Sequence, residues 1–206
     1  MLGFRVVIDT DCLFSLYLRD ILLNAAIADF FRPLWSLTTL DELQDVLQRD
    51  GKRTPEMAKR LRDALEEVFP DSTVTHYQHL EGSLGCSDPD DEHVLAAAII
   101  AQAGAVVTKN LKHFPNNSET KFGIEIVHPD SFLMDLIDLG PEVMIVTIAK
   151  LLQEYDRPEI DANSFAECMI KANCPEFANF VTQNSNQLNS ICRELRIAEL
   201  GLNGGG

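Results

Sequence analysis

The side chains whose types and spacing suit chemistry fall in four short segments. Asp9 and Asp11 flank Thr10 at the end of the apolar run Val6-Val7-Ile8. Glu42 closes Thr39-Leu40-Asp41-Glu42, and Asp88, Asp90 and Asp91 crowd into Asp88-Pro89-Asp90-Asp91. Thr108-Lys109-Asn110 follows a second apolar run, Ala105-Val106-Val107. If folding gathers Asp9, Glu42 and Asp91, each pair of charges repels by roughly 4 kcal/mol at about 4 Å and an effective dielectric near 20. Such a cluster either raises carboxyl pKa values or recruits a cation. Carboxylate and amide oxygens, with no Cys-x-x-Cys and no His pair, select Mg²⁺ or Mn²⁺ over zinc. An ion so held keeps several waters and suits in-line attack on a phosphate.

Each segment also has a purely structural reading. Thr39-x-x-Glu42 is a capping box, in which Glu42 would only satisfy a backbone N–H. Asp88-Pro89-Asp90-Asp91 is what a helix start requires: an Asp cap, a first-turn proline and acids near the positive dipole end. Asn110 suits a turn. Asp9 and Asp11 resist this treatment, because an acid ending an apolar strand has no evident capping duty. Two other functions fit parts of the pattern. Asp9-Thr10-Asp11 matches the D-x-D loop of haloacid-dehalogenase-like phosphatases, with Asp9 as nucleophile and Asp11 as acid/base. That enzyme needs a later Ser/Thr and Lys, for which Thr108-Lys109 is a poor substitute, and it leaves Glu42 idle. In a non-catalytic interaction module the acids would merely cap helices and an acidic surface would meet a basic partner.

The elements that would position these residues are legible from periodicity. Arg5–Ile8, 105–108 and 123–127 read as strands. Helices are expected over 13–31, from Thr39, from Thr54-Pro55, over Asp90–Ala103 with Gly104 as its stop, and over 131–137. Strands with continuous apolar runs, separated by helices, indicate a parallel sheet covered on both faces. In such sheets ligands bind beyond the carboxyl ends of the strands, where the acids and Asn110 lie. After Gly140-Pro141 only helical patterns remain. The expected organisation is an α/β domain over 1–138, an all-helical extension over 139–200 and a disordered tail over 201–206.

Bulk composition bounds the partners. The 206 residues carry a net charge of −15, which runs against the basic footprint of a nucleic-acid binder. Arg49, Lys52, Arg53, Lys59, Arg60 and Arg62 form a local basic stretch that reads as a solvated helix face. Five scattered cysteines suggest neither a zinc site nor a disulfide framework. No signal peptide and no apolar span of membrane length is evident, so a cytoplasmic protein without a membrane role is expected.

The motifs together resemble a known family. Val6-Val7-Ile8-Asp9-Thr10-Asp11-Cys12-Leu13 is similar to the opening strand of PIN domains, usually written D-x-N-V-L. Leu40-Asp41-Glu42-Leu43 resembles their second acidic motif. Asp88 through Ala98 resembles the third in VapC-type toxins, and Val107 through Pro115 the fourth. The likeness covers about residues 4–138 in order and spacing, and the helical extension is similar to one found in some of these toxins. It implies a PIN-like three-layer fold with a central parallel sheet, and a Mg²⁺- or Mn²⁺-dependent endoribonuclease. It further implies a toxin–antitoxin pair, with RNA as substrate, an antitoxin protein as partner and a homodimer as a common assembly. Carried over by position, Asp9, Glu42 and Asp91 are the metal-site acids and Asn110 fills the fourth place, where many relatives have Asp. Asp11 stands where the motif usually has Asn. Asp88 and Asp90 are candidates to share the third position's work. Asp9 and Asp91 would hold the ion while Glu42 positions or deprotonates the attacking water. Arg19, Lys109 and Lys112 are candidates for steering the RNA backbone. His93, two positions from Asp91, is expected to point away from the acids into the core or a supporting layer.

Overall fold

Strand β1 (Arg5–Ile8) forms where three β-branched residues, Val6, Val7 and Ile8, can be buried completely. The computed structural model describes residues 3–49, 54–116, 121–155 and 160–203. Lys52 and Arg53 of the basic stretch, and the glycines at 204–206, lie outside the described residues. β1 is the middle strand of a five-stranded parallel sheet. It pairs with β2 (Arg32–Ser36) on one side and β4 (Ala105–Val107) on the other. β3 (Thr73–Val74) and β5 (Glu125–Val127) form the edges. Two of these strands escape periodicity. β2 contains Pro33, which lacks a ladder donor and argues against a strand, and β3 has only two residues. Tertiary contacts supply what local pattern does not: Trp35 N donates to Ser72 O at 3.0 Å, and the fully buried indole donates to Thr73 Oγ1 at 3.1 Å.

The strand order β3-β2-β1-β4-β5 contains a topological switch. From β1 the chain runs outward through β2 and β3, then crosses back to β4 on the opposite side of β1. The carboxyl ends of β1 and β4, paired Ile8 to Val107, therefore flank the crevice where doubly wound sheets bind ligands. Helix α1 (Thr10–Phe14) leaves β1 directly, ending at Ser15. The expected helix over 13–31 is thus two helices, and the second, α2 (Leu16–Ile27), stops before Asp29 adopts a left-handed φ of 64°.

Three further helices of this unit bear on the site. α3 (Leu37–Arg49) is capped by Ser36, whose Oγ accepts from Thr39 N at 2.8 Å. α4 (Pro55–Val68) starts as expected, with Thr54 capping and Pro55 in the first turn. α5 (Glu92–Ile100) follows a 3-10 turn at Pro89–Asp91, so the expected helix from Asp90 is shorter at both ends. It packs on β1, β2 and β4, and every residue from Glu92 to Ala98 is buried, which its alanines permit by allowing close approach. Gly104 is not its stop. Gln102, at φ 51°, ends the helical path, while Gly104 lets the exposed Phe4 ring lie where a Cβ would otherwise displace it.

Backbone contacts divide the chain into two units, Met1–Leu16 with Asp29–Pro129, and Tyr17–Ala28 with Asp130–Gly206. The second is all-helical: most of α2, then α6 (Pro129–Leu139), α7 (Pro141–Glu154), α8 (Ala162–Lys171), α9 (Pro175–Gln183) and α10 (Ser185–Asn203). The segment 17–28, expected in the first domain, belongs here. Tyr17 stacks edge-on against Tyr155 and Phe165, and Asp20 accepts from Tyr155 Oη at 2.8 Å. Buried Asp130 accepts from Glu176 N at 3.0 Å and Phe177 N at 2.9 Å, satisfying the start of α9. α10 runs to Asn203, past the point where the tail was expected. Among the described residues no helix is long and apolar enough to cross a membrane.

Candidate metal centre

Asp9 emerges from β1 as the N-cap of α1, so it does have a capping duty. Its carboxylate accepts from Thr10 N at 2.6 Å and from Thr108 Oγ1 at 2.7 Å. The same Thr108 hydroxyl accepts from Asn110 N at 3.0 Å, tying the end of β4 to the end of β1. Asp9 is only 3% exposed. Burial, then the charge of Asp11, pushes its pKa up to about 7 against the pull of Thr108, and Asp91 adds to the rise. Asp11 accepts from Lys109 N at 2.9 Å through Oδ2, while Oδ1 is buried with no hydrogen-bond partner among the described residues. A buried carboxylate oxygen without a donor beside a raised Asp9 is a local excess of negative charge that a cation would relieve.

Glu42 projects from α3 and makes no capping box, because Ser36 supplies the cap. Its Oε2 accepts from Thr10 Oγ1 at 2.6 Å, and its Oε1 lies 3.3 Å from His93 Nε2. Burial works to raise the Glu42 pKa, but the His93 and Thr10 hydrogen bonds together bring it below its ordinary value. His93 is buried on α5, and its Nδ1 is 2.7 Å from Ser36 Oγ. Ser36, His93 and Glu42 thus form a chain of contacts, yet Ser36 is fully buried and already engaged by Thr39. The chain orients Glu42; it is not a nucleophilic triad. The expectation that His93 points away from the acids is not met: its Nε2 faces Glu42, and the rest of the buried ring packs behind the site against Ser36.

The third segment meets the fourth through a residue that sequence reading passed over. Asp91 Oδ2 is 2.5 Å from His113 Nδ1, and Asp88 Oδ2 is 3.8 Å from the same nitrogen. One ligand atom from each of Asp88, Asp91 and His113 fits within a 4.8 Å cluster. Burial raises the Asp91 pKa, opposed by His113 and assisted by the Asp88 charge. The two loops are fastened to each other: Ser87 N donates to His113 O at 2.8 Å, and Ser87 Oγ to Lys112 O at 3.1 Å. Glu92 anchors the approach to Asp88 by accepting from Gly85 N at 3.1 Å and from Gly82 N.

Asp11 and, to a lesser degree, Asp91 both raise the Asp9 pKa at the end of β1. Glu42 joins them through Thr10 on one side and His93, within electrostatic reach of Asp91, on the other. Asp88 both caps the Pro89–Asp91 turn and faces His113. Asp90 is exposed, and only its backbone N, bonded to Asp88 Oδ1, takes part in the turn. Asn110 is half-buried beside Thr108, with no capping bond from its side chain. Lys109 Nζ donates to Asp11 O at 3.1 Å, and Lys112 is exposed. Arg19 must be withdrawn from the RNA-steering set. It is 4% exposed in the helical unit, with its guanidinium 3.0 Å from Asp20, because α2 turns that face inward. The signal for His113 was present: it lies three residues beyond Asn110, across the 3-10 turn Leu111–His113, where i and i+3 share a face. Carboxylates, an orphaned buried oxygen and an imidazole make a donor set that fits a divalent cation.

A parallel sheet with carboxylates at the carboxyl ends of its strands makes an α/β unit with an acidic candidate site at its switch point. Residues 5–112 match the family described as the PIN domain, and residues 129–183 match the VapC50 C-terminal domain. The chain belongs to the PIN domain family and carries the C-terminal extension of a VapC-type protein. It is 38% identical over 88 residues to a Mycobacterium tuberculosis protein named "Putative ribonuclease VapC50". That match covers 43% of this chain and 52% of the relative, so the chain spans about half the length of the curated relative it matches. No solved structure matches. Family membership favours the metal-site reading of Asp9-Thr10-Asp11 over the phosphatase loop, and Glu42 has a place in it.

Proposed function

We propose that the chain is a divalent-metal-dependent endoribonuclease that hydrolyses RNA phosphodiester bonds in the cytoplasm as the toxin half of a toxin–antitoxin pair. The observation that carries this reading is the set of contacts joining the acidic segments: Asp9 to Thr108, Asp11 to Lys109 N, and Glu42 to Thr10 and His93. Asp9 and Asp91 would hold Mg²⁺ or Mn²⁺, with Asp11 and Asp88 as neighbouring donors. When bound, the ion supplies Lewis-acid stabilisation of the phosphate and of the departing oxygen. Glu42, kept ionised by His93 and Thr10, accepts the proton of the attacking water. Thr108 holds Asp9 in place, and Asn110 lies at the mouth beside it. Lys112, with Lys109 if it leaves Asp11, attracts the RNA backbone. A homodimer is the proposed assembly, and the antitoxin would offset the acidic site with positive groups.

Incubation of the purified chain with total RNA, with and without Mg²⁺ or Mn²⁺, tests the reading. Cleavage should require the ion and be lost in Asp9→Asn. Cleavage that persists in a chelator, or in the variant, rejects it. For the partner, an antitoxin complex that leaves Asp9 and Asp91 open to solvent rejects the charge-neutralising role.

A further inference from the structure

His113 changes the chemistry of the site in a way that the carboxylates alone do not. We propose that Asp88, Asp91 and His113 form a subsite of two oxygens and one nitrogen that takes a divalent transition ion such as Mn²⁺ in preference to Mg²⁺. The inference rests on the metal-dependent reading above and deepens it by naming the residue that selects the ion.

Three observations carry it. The donor atoms already lie within a 4.8 Å cluster, and the imidazole nitrogen facing the carboxylates is Nδ1. The three residues come from two loops that Ser87 fastens to each other, through its backbone N to His113 O and its hydroxyl to Lys112 O, so the backbones that carry the donors are held together. Glu92 fixes the loop before Asp88 through Gly82 and Gly85, so one donor-bearing segment is braced on both sides. His113 is the imidazole of that cluster, while His93 nearby is turned to Ser36 and Glu42.

Donor type then decides between ions. Mg²⁺ demands oxygen in near-ideal octahedral geometry and gives up its waters reluctantly. Mn²⁺ shares the preference of Mg²⁺ for oxygen but tolerates an imidazole beside carboxylates, and affinity for such a mixed site rises from Mn²⁺ towards the later divalent ions. In the metal-free protein His113 and Asp91 satisfy each other. On binding, the ion replaces that hydrogen bond, Nδ1 presents its lone pair and the ring proton resides on Nε2. Mg²⁺ would forgo the nitrogen and leave His113 bonded to Asp91, removing one oxygen from its shell.

The test is equilibrium binding to the chelator-stripped full chain, read without reference to activity. Mn²⁺ binding is followed by loss of the free-ion electron paramagnetic resonance signal, with Mg²⁺ as competitor. Electron spin echo modulation then reports any ¹⁴N bonded to bound Mn²⁺. The expected result is Mn²⁺ preferred over Mg²⁺ with clear ¹⁴N modulation. In His113→Gln the modulation should vanish and Mn²⁺ affinity should fall by at least about tenfold, the scale at which even an outer partner of a ligand counts. His113→Asp should retain binding and narrow the gap between the ions. Bound Mn²⁺ without ¹⁴N modulation, modulation that survives His113→Gln, or an unchanged preference in His113→Asp overturns the subsite while leaving the nuclease reading intact. Failure of the wild-type chain to bind either ion overturns both.

Discussion

Asp9 is a carboxylate whose ionisation works against the fold of the metal-free chain. Its pKa rises from 3.8 to about 7, chiefly through burial and then through Asp11. Between those values the folded chain holds a proton that the unfolded chain has released. Stability must therefore fall as pH rises from 3.8 to about 7, and the loss is complete above that window. Melting temperatures measured from pH 4 to pH 8 without divalent ions should show this decline, and Asp9→Asn should remove much of it. A divalent ion should raise the melting temperature more at pH 8 than at pH 5, because binding needs the ionised carboxylate. An equal rise at both pH values would mean that Asp9 is not a ligand. Glu42 behaves oppositely: His93 and Thr10 favour its charged form, as a proton acceptor near neutral pH requires. Thr10→Val removes one of those bonds and should reduce kcat with little change in KM, since Thr10 acts only through Glu42. A change in KM alone would contradict that role.

At the scale of elements, Ser36 does two jobs from the end of β2. It caps α3 through Thr39 N and contacts His93 Nδ1, so one hydroxyl fixes both the helix that carries Glu42 and the ring that orients it. Ser36→Ala should lower stability by about 1–2 kcal/mol through the lost cap and the unsatisfied buried N–H. Chemical denaturation reads that loss directly. A loss within a few tenths of a kcal/mol, with unchanged cleavage, would show that neither contact matters. Sequence patterns revealed some of these elements better than others. The β1 run, the Thr54-Pro55 start of α4 and the apolar run of α5 are strong local signals, and each element forms there. β2 was hidden by Pro33, and the break at Ser15 by the continuous apolar spacing on either side of it. The Thr39-x-x-Glu42 spacing was locally a faultless capping box, but the cap belongs to Ser36, three residues before Thr39, which a strand end delivers.

For the whole molecule, charge sets the terms of the proposed RNA binding. A net charge of −15 repels a polyanion, and among the described residues the proposed steering cations are Lys109, engaged with Asp11 O, and exposed Lys112. Elsewhere, Lys59 pairs with Asp63, and Arg62 with Asp41 and Glu66. Two phosphate contacts correspond to a slope of log affinity against log salt near −1.4 for a single strand, at about −0.7 per contact. Fluorescence anisotropy of a labelled RNA on the inactive Asp9→Asn chain should give a slope no steeper than that. A markedly steeper slope would locate the RNA on basic residues elsewhere.

Residue order alone was enough to determine the parallel α/β class and the family, because strand and helix periodicities and short motifs are local properties. Tertiary structure alone decided that Glu42 answers to Thr10 and His93, that His113 faces Asp88 and Asp91, that Arg19 is buried, and that segment 17–28 packs among the C-terminal helices. The physical reason is common to all four. Each depends on which side chains meet across long stretches of chain, and spacing along a sequence carries no information about a partner that arrives from another strand end or helix.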